Sequence, residues 1–273
     1  MGEKIDLSIV IRCSDDIRVK NCLDSIDKIV DETIVVLNGA TEEVRAILNE
    51  YMNEYNLQKV ELEERNMPLA QNKGIEEAKN ERVLLMDSDC VFAREAIYRM
   101  YDTSQTHEIV RGKVIFRSGN AFSRIAANIR EYHDSNDVRA LTPLLLIRKG
   151  VRERIGGYFF DASIPKTHDE EFDGRVKKAG IEIKYVPEAI AFHDEIGLFQ
   201  DLIGAFRFGG GLYHQLRRKG KQFNLPYQMK RTIIKTKEIF RRYDLVTAIY
   251  YSLCWKPSYV LGYFTEMIKP KDD

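Results

Sequence analysis

The chain has little of what marks a secreted, metal-stapled or membrane-spanning protein. Its four cysteines, Cys13, Cys22, Cys90 and Cys254, are scattered without metal-ligand spacing, so they read as reduced, mostly structural thiols of a cytoplasmic protein. No run of eighteen uncharged apolar residues exists, which excludes an ordinary membrane-spanning helix. Met1-Gly2-Glu3-Lys4 leads straight into a strand pattern, and no secretory leader is expected. There is no internal repeat and no low-complexity segment. The place after the first strand where a dinucleotide-binding dehydrogenase carries its glycine fingerprint holds Arg12-Cys13-Ser14-Asp15-Asp16, with no glycine and two acids.

What is present is a chain of 273 residues, 44% apolar, enough for a sizeable core. Its formal net charge of zero hides an asymmetry. Residues 207–242 hold eleven basic side chains and one acid, Glu238. That excess predicts that the C-terminal part faces something anionic.

Short β-branched runs alternate with helical spacing through the first third. Strands are expected at 7–11, 33–37, 59–62 and 83–86, with helices at 19–29, 41–55 and 69–79. Alternation of this kind predicts an α/β fold, a mainly parallel open sheet flanked by helices, with ligands beyond the carboxyl ends of its strands. Further on, strands are expected at 110–116, 181–186 and 190–192 and helices at 121–131 and 172–179. The apolar run 141–147, broken by Pro143, reads as a strand near an edge or a buried lining.

The fourth strand stops at Asp87-Ser88-Asp89. Charge is costly inside a sheet, so both carboxylates are expected where the strand leaves it, pointing roughly the same way if Ser88 stays extended. Two hard oxygen ligands there suit Mg²⁺ or Mn²⁺ carrying a diphosphate. The plain alternative is an acidic turn closing a buried strand.

Four stretches in this order resemble the family 2 glycosyltransferases, which have the GT-A fold. They are Leu7-Ser8-Ile9-Val10-Ile11 with Thr33-Ile34-Val35-Val36-Leu37-Asn38-Gly39; Leu69-Ala70-Gln71-Asn72-Lys73-Gly74 with Asp87-Ser88-Asp89; Leu141-Thr142 through Ile155-Gly156-Gly157-Tyr158; and His168-Asp169-Glu170-Glu171-Phe172-Asp173-Gly174-Arg175. The match covers roughly residues 5–195. It departs from the family pattern at Leu37, where an Asp is usual, at Gln71, where an Arg is usual, and at His168, where a Glu is usual.

The resemblance implies an inverting, metal-dependent transferase that moves a sugar from a nucleotide-diphosphate donor, a UDP- or GDP-sugar, to a glycan or lipid-linked acceptor. Asp169 is the implied general base, with Glu170 its nearest rival and a helix cap the plain alternative. Asp89, Asp87 and His193 are the implied metal set, and Asn38, Gly39, Gln71, Asn72 and Asp87 the donor side. Gly156, Gly157, Glu170 and Arg175 fall on the acceptor side. The rival readings are a sugar nucleotidyltransferase, which the glycine-free loop after the first strand disfavours, and a catalytically silent, membrane-associated binding protein.

The catalytic domain is expected to span 1–206, its donor half about 1–105 and its acceptor half about 106–206. Residues 207–273 form a basic, aromatic, helical extension, with Gly209-Gly210-Gly211 a candidate hinge and Lys256-Pro257 an interruption. This extension reads either as a segment at an anionic membrane surface, placing the enzyme at the inner face of the cell membrane, or as a helical hairpin that packs on the core or forms a homodimer face. No nucleic-acid partner is expected, since the aromatics follow the basic cluster and do not interleave with it.

Overall fold

The computed structural model describes residues 4–52, 56–135, 138–164 and 166–269. The chain divides into two compact units, Met1–Ile115 with Asp137–His193, and Phe116–Asn136 with Asp194–Asp273. The strands are β1 (Ile5–Cys13), β2 (Val30–Asn38), β3 (Leu57–Leu62), β4 (Arg82–Asp87), β5 (Cys90–Phe92), β6 (Ile109–Phe116), β7 (Leu145–Arg148) and β8 (Ile183–His193). The helices are α1 (Val19–Asp24), α2 (Glu42–Tyr51), α3 (Met67–Glu77), α4 (Ala96–Thr103), α5 (Ala121–Ser135), α6 (His168–Lys178), α7 (Leu198–Arg218), α8 (Leu225–Arg242), α9 (Leu245–Tyr250) and α10 (Lys256–Ile268).

The strands form one eight-stranded sheet in the order β3-β2-β1-β4-β7-β6-β8-β5. β1 pairs in parallel with β2 and β4, and β2 with β3. β7 runs antiparallel to β4 and β6, and β5 antiparallel to β8. The fold is the expected α/β sheet between helices, with a parallel half followed by an antiparallel one.

Both faces of the parallel half are covered, so its strands read as nearly unbroken apolar runs. Leu7, Ile9 and Ile11 of β1 pack on one side with Val19, Leu23, Val44 and Leu48 from α1 and α2. Val10, between them, packs on the other side with Ala70 and Ile75 of α3 and Phe172 and Val176 of α6. That alternation is the period of two of a strand.

Several elements differ from expectation for local reasons. α1 stops at Asp24, and the Ser25 hydroxyl donates to Cys22 O at 2.6 Å, closing the turn that leads into β2. α3 begins at Met67, two residues early, because Asn66 Oδ1 accepts from Leu69 N at 3.0 Å and Pro68 suits a first turn. The expected helix end at 53–55 lies outside the described residues. β7 is an interior strand of the sheet and not an edge; Pro143 lies before its paired stretch. β8 runs through Pro187 as one strand, since Pro187 sits in its solvent-exposed first half, ahead of the residues paired with β5.

In the second unit, α7 runs through Gly209-Gly210-Gly211 without a hinge. A Cβ at Gly209 would lie 1.8 Å from Tyr259 O, and one at Gly262 would lie 1.9 Å from Phe206 O. Glycine is there for close approach of α7 and α10, not for bending. Lys256-Pro257 does not end the helix either. Tyr251–Trp255 form a π-helical turn between α9 and α10, and Pro257 falls in the first turn of α10. The unit's core is Ile129, Tyr132, Ala205, Ile239, Ala248, Tyr250, Tyr251 and Trp255. No helix among the described residues is long and apolar enough to cross a membrane.

Candidate active site

The register of β1 and β4 sets Arg12 opposite Asp87 at the carboxyl ends of both strands. Arg12 Nη2 donates to Asp87 Oδ2 at 3.0 Å. Asp87 Oδ1 is buried with no hydrogen-bond partner among the described residues. Past Asp87 the chain turns into β5, whose pairing with β8 places Cys90 across from His193. That pairing brings His193 Nε2 to 3.3 Å from Asp89 Oδ2. Arg18 Nη2 lies 3.8 Å from the same oxygen.

Asp89, Cys90 and His193 each offer an atom within 4.8 Å of the others. Burial, helped by the charges of Asp89 and Asp87, pushes the Cys90 thiol well above its ordinary range in the metal-free fold. Asp89 and His193 supply an oxygen and an imidazole, a pair that suits Mn²⁺ better than Mg²⁺, and the unpartnered Oδ1 of Asp87 is a further oxygen at the strand end. A divalent cation therefore fits the residues present.

Across the site, α6 opens with Asp169, Glu170 and Glu171 in its first turn. Asp169 Oδ2 accepts from Thr142 Oγ1 at 2.9 Å, and Thr142 Oγ1 accepts in turn from Gln71 Nε2 at 3.2 Å. Arg111 Nη1 donates to Pro143 O at 2.5 Å and so anchors the segment that carries Thr142. His168, buried and edge-on to Phe160, puts Nε2 at 3.1 Å from Asp169 Oδ1, at ion-pair distance but without hydrogen-bond alignment. Asp169 does not cap the helix; the N-cap position belongs to Thr167.

The two carboxylates differ in how they hold a proton. Burial pushes Asp169 up, but His168, the Thr142 hydroxyl and Arg12 outweigh it and hold the carboxyl below the usual range. For Asp87, burial together with the charges of Asp89 and Asp169 outweighs Arg12 and raises it. Burial also works against the charge on Arg12, yet Asp87, Asp169 and Asp89 raise its pKa further. Arg12 thus feels all three carboxylates, while Arg18 reaches one of them, Asp89.

The other expected residues are mostly engaged with the protein. Asn38 Oδ1 accepts from Asn66 N at 2.7 Å, tying the end of β2 to the start of α3. Gly39 follows at the turn with φ +65°. Asn72 makes two bonds to Phe160, Nδ2 donating to its carbonyl at 2.7 Å and Oδ1 accepting from its amide at 2.9 Å. Gln71 is buried, with Oε1 unpartnered among the described residues. Glu170 is exposed and lies 3.6 Å from Arg139. Arg175 grips Glu171 through two bonds, donates to the carbonyls of Ile155, Tyr158 and Phe159, and stacks over the Tyr158 ring at 3.9 Å. It organises the loop that contains Gly156 and Gly157, whose φ values of +104° and +84° are the local reason for glycine there.

The sequence reading missed Arg12 and Thr142 as site residues. Arg12 had a signal, a cation at the carboxyl end of the first strand. Thr142 had only its place in the acceptor-side segment.

The model of Glycosyl transferase family 2 matches residues 16–152. The chain belongs to that family. It is a glycosyltransferase, and its fold is GT-A. Among solved structures, the glycosyltransferase resembles S. aureus TarS 1-349 in complex with UDP-GlcNAc, with a TM-score of 0.57 and 14% identity over 94% of this chain and 79% of that one. It also resembles the mannosyltransferase PcManGT of Pyrobaculum calidifontis in complex with GDP-Man and Mn²⁺, with a TM-score of 0.59 and 15% identity over 98% of this chain and 76% of that one. At such identities the likeness speaks to the fold. No curated protein matches the sequence.

Proposed function

We propose that the enzyme is an inverting, divalent-metal-dependent glycosyltransferase that moves a sugar from a UDP- or GDP-sugar to an acceptor hydroxyl in glycan or glycolipid assembly. The carrying observation is that Asp87, Asp89 and His193 gather at the strand ends while Asp169, held by Thr142 and His168, shares the same field of charge.

Asp89, His193 and Asp87 are the residues that would hold the cation. A bound divalent ion supplies Lewis-acid neutralisation of the leaving diphosphate. Arg12 adds a fixed positive charge beside it. Asp169 accepts the acceptor's hydroxyl proton as that oxygen bonds to the anomeric carbon and the bond to the diphosphate breaks on the opposite face. Its depressed pKa keeps it ionised. Gln71, through Thr142, fixes which way Oδ2 points, and His168 steadies Oδ1. The departures from the family pattern at 71 and 168 thus meet at one carboxylate. Asn38 and Gly39 shape the donor's base or ribose side, and Gly156, Gly157 and Arg175 the acceptor's. The basic residues of 207–242 support attachment at the inner face of the cell membrane.

Thermal-shift titration with UDP-GlcNAc, GDP-mannose and other nucleotide-sugars tests this reading. Stabilisation by at least one of them only when Mn²⁺ or Mg²⁺ is present is the expected result. A flat response across the panel with both metals would overturn it.

A further inference from the structure

A surface helix of a soluble protein normally turns its apolar stripe inward. In α8 the inward residues are Gln228, which accepts from Lys256 Nζ at 2.9 Å, and Ile239. Leu225, Met229, Ile233 and Phe240 are 50–59% exposed. At about 100° per residue these four fall within an arc of roughly 80°. Lys230, Lys237 and Arg241 occupy the adjoining arc, exposed, and none makes an ion pair among the described residues. α9 and the π turn repeat the pattern. Tyr250, Tyr251 and Trp255 fill the core, while Leu245, Ile249 and Leu253, four residues apart, are 58%, 46% and 70% exposed.

Such a surface needs a partner that is apolar and anionic at once. Nucleic acid offers no apolar layer. A second copy of the same face would set one strongly basic surface against another, and like charges repel. The headgroup layer of an anionic bilayer offers both chemistries within one helix diameter. Resting on the peripheral attachment proposed above, we infer that α8 lies in the plane of an anionic lipid bilayer. Leu225, Met229, Ile233 and Phe240 enter among the acyl chains, and Lys230, Lys237 and Arg241 meet lipid phosphates. The stripe from Leu225 to Phe240 is about 22 Å long at 1.5 Å per residue, enough for a lasting in-plane contact. The outward side chains of α9 extend it.

Co-sedimentation of the full chain with vesicles of phosphatidylcholine, alone or mixed with phosphatidylglycerol, tests the inference. The wild type is expected to bind the mixed vesicles, less so the neutral ones, and to lose binding as salt is added. Ile233→Asp with Phe240→Asp should lower partitioning at least tenfold with an unchanged unfolding temperature, since both positions are exposed. Lys230→Gln with Lys237→Gln should cost about fivefold per charge, on the anionic vesicles only. If the wild type binds and the double Asp variant binds equally, α8 is not the docking element, although peripheral attachment stands. If the wild type binds neither vesicle, both ideas fall. A wild-type dimer in light scattering that the double Asp variant dissolves, with no vesicle binding, would give the face to a second copy and overturn the inference.

Discussion

The first unit takes His168's ring nitrogens, Gln71 Oε1 and one oxygen each of Asp87 and Asp169 out of water without giving them a hydrogen-bond partner among the described residues. The second unit leaves Leu225, Ile233 and Leu253 largely in water. Neither arrangement serves stability. An unsatisfied buried polar group costs about 1–3 kcal/mol, and an exposed leucine forgoes a comparable gain. A buried polar group and an exposed apolar patch are the two informative exceptions to ordinary burial. Here the unpartnered atoms of Asp87, Asp169, His168 and Gln71 gather around one charged site in the first unit, and the exposed apolar side chains of α8 and α9 gather on one surface in the second. The first cluster carries the proposal of a cation with a diphosphate, the second that of a lipid surface.

The comparison can be broken most sharply at Asp169. Asp169→Asn should fold and keep its donor-induced thermal shift while turnover falls by about 10²–10⁴-fold, the usual worth of a general base. Near wild-type turnover would remove the residue from that role. Asp89→Ala should next abolish the metal-dependent part of the nucleotide-sugar shift, read by thermal titration with Mn²⁺; a retained shift would move the cation elsewhere.

Thr142→Val should lower turnover by about tenfold, the worth of a hydrogen bond to a charged group. Because the hydroxyl helps hold Asp169 low, its loss should also move the acid limb of the pH–rate profile to higher pH. Thr142→Ser should restore both. An unmoved acid limb in the Val variant would make Thr142 merely structural. The same sign applies to stability: Asp169, depressed in the folded state, contributes stability above the ordinary carboxylate pKa that is lost as pH falls.

The smallest effect is expected at Asp87, whose raised pKa means that its charge is disfavoured in the metal-free fold at neutral pH. Asp87→Asn should therefore raise the melting temperature of the metal-free protein. A lowered melting temperature would show that the ion pair with Arg12 outweighs the crowding of the three carboxylates.

Much of the parallel half was legible in the sequence, because runs such as Val83-Leu84-Leu85-Met86 are buried on both faces and end at charge. β5 was not legible: three residues are too few to show a period, and its pairing with β8 is what carries Asp89 to His193. Asp87, Asp89, Asp169 and His193 were readable as candidates from their places at element ends. Arg12 facing Asp87 is a matter of register, and Gln71 reaching Asp169 through Thr142 spans three separate segments, so neither leaves a mark in local spacing. The outward stripe of α8 has a helical period, but a period alone does not say which face the fold turns inward.

Where Gly209 meets the Tyr259 carbonyl and Gly262 meets that of Phe206, two bare main chains rest on each other. No side chain stands between them to be squeezed, rotated or traded for a smaller one. The junction thus has no soft setting. A single methyl added on either side must push α7 and α10 apart along the crossing, so drift at these two positions is closed to everything larger than a hydrogen atom.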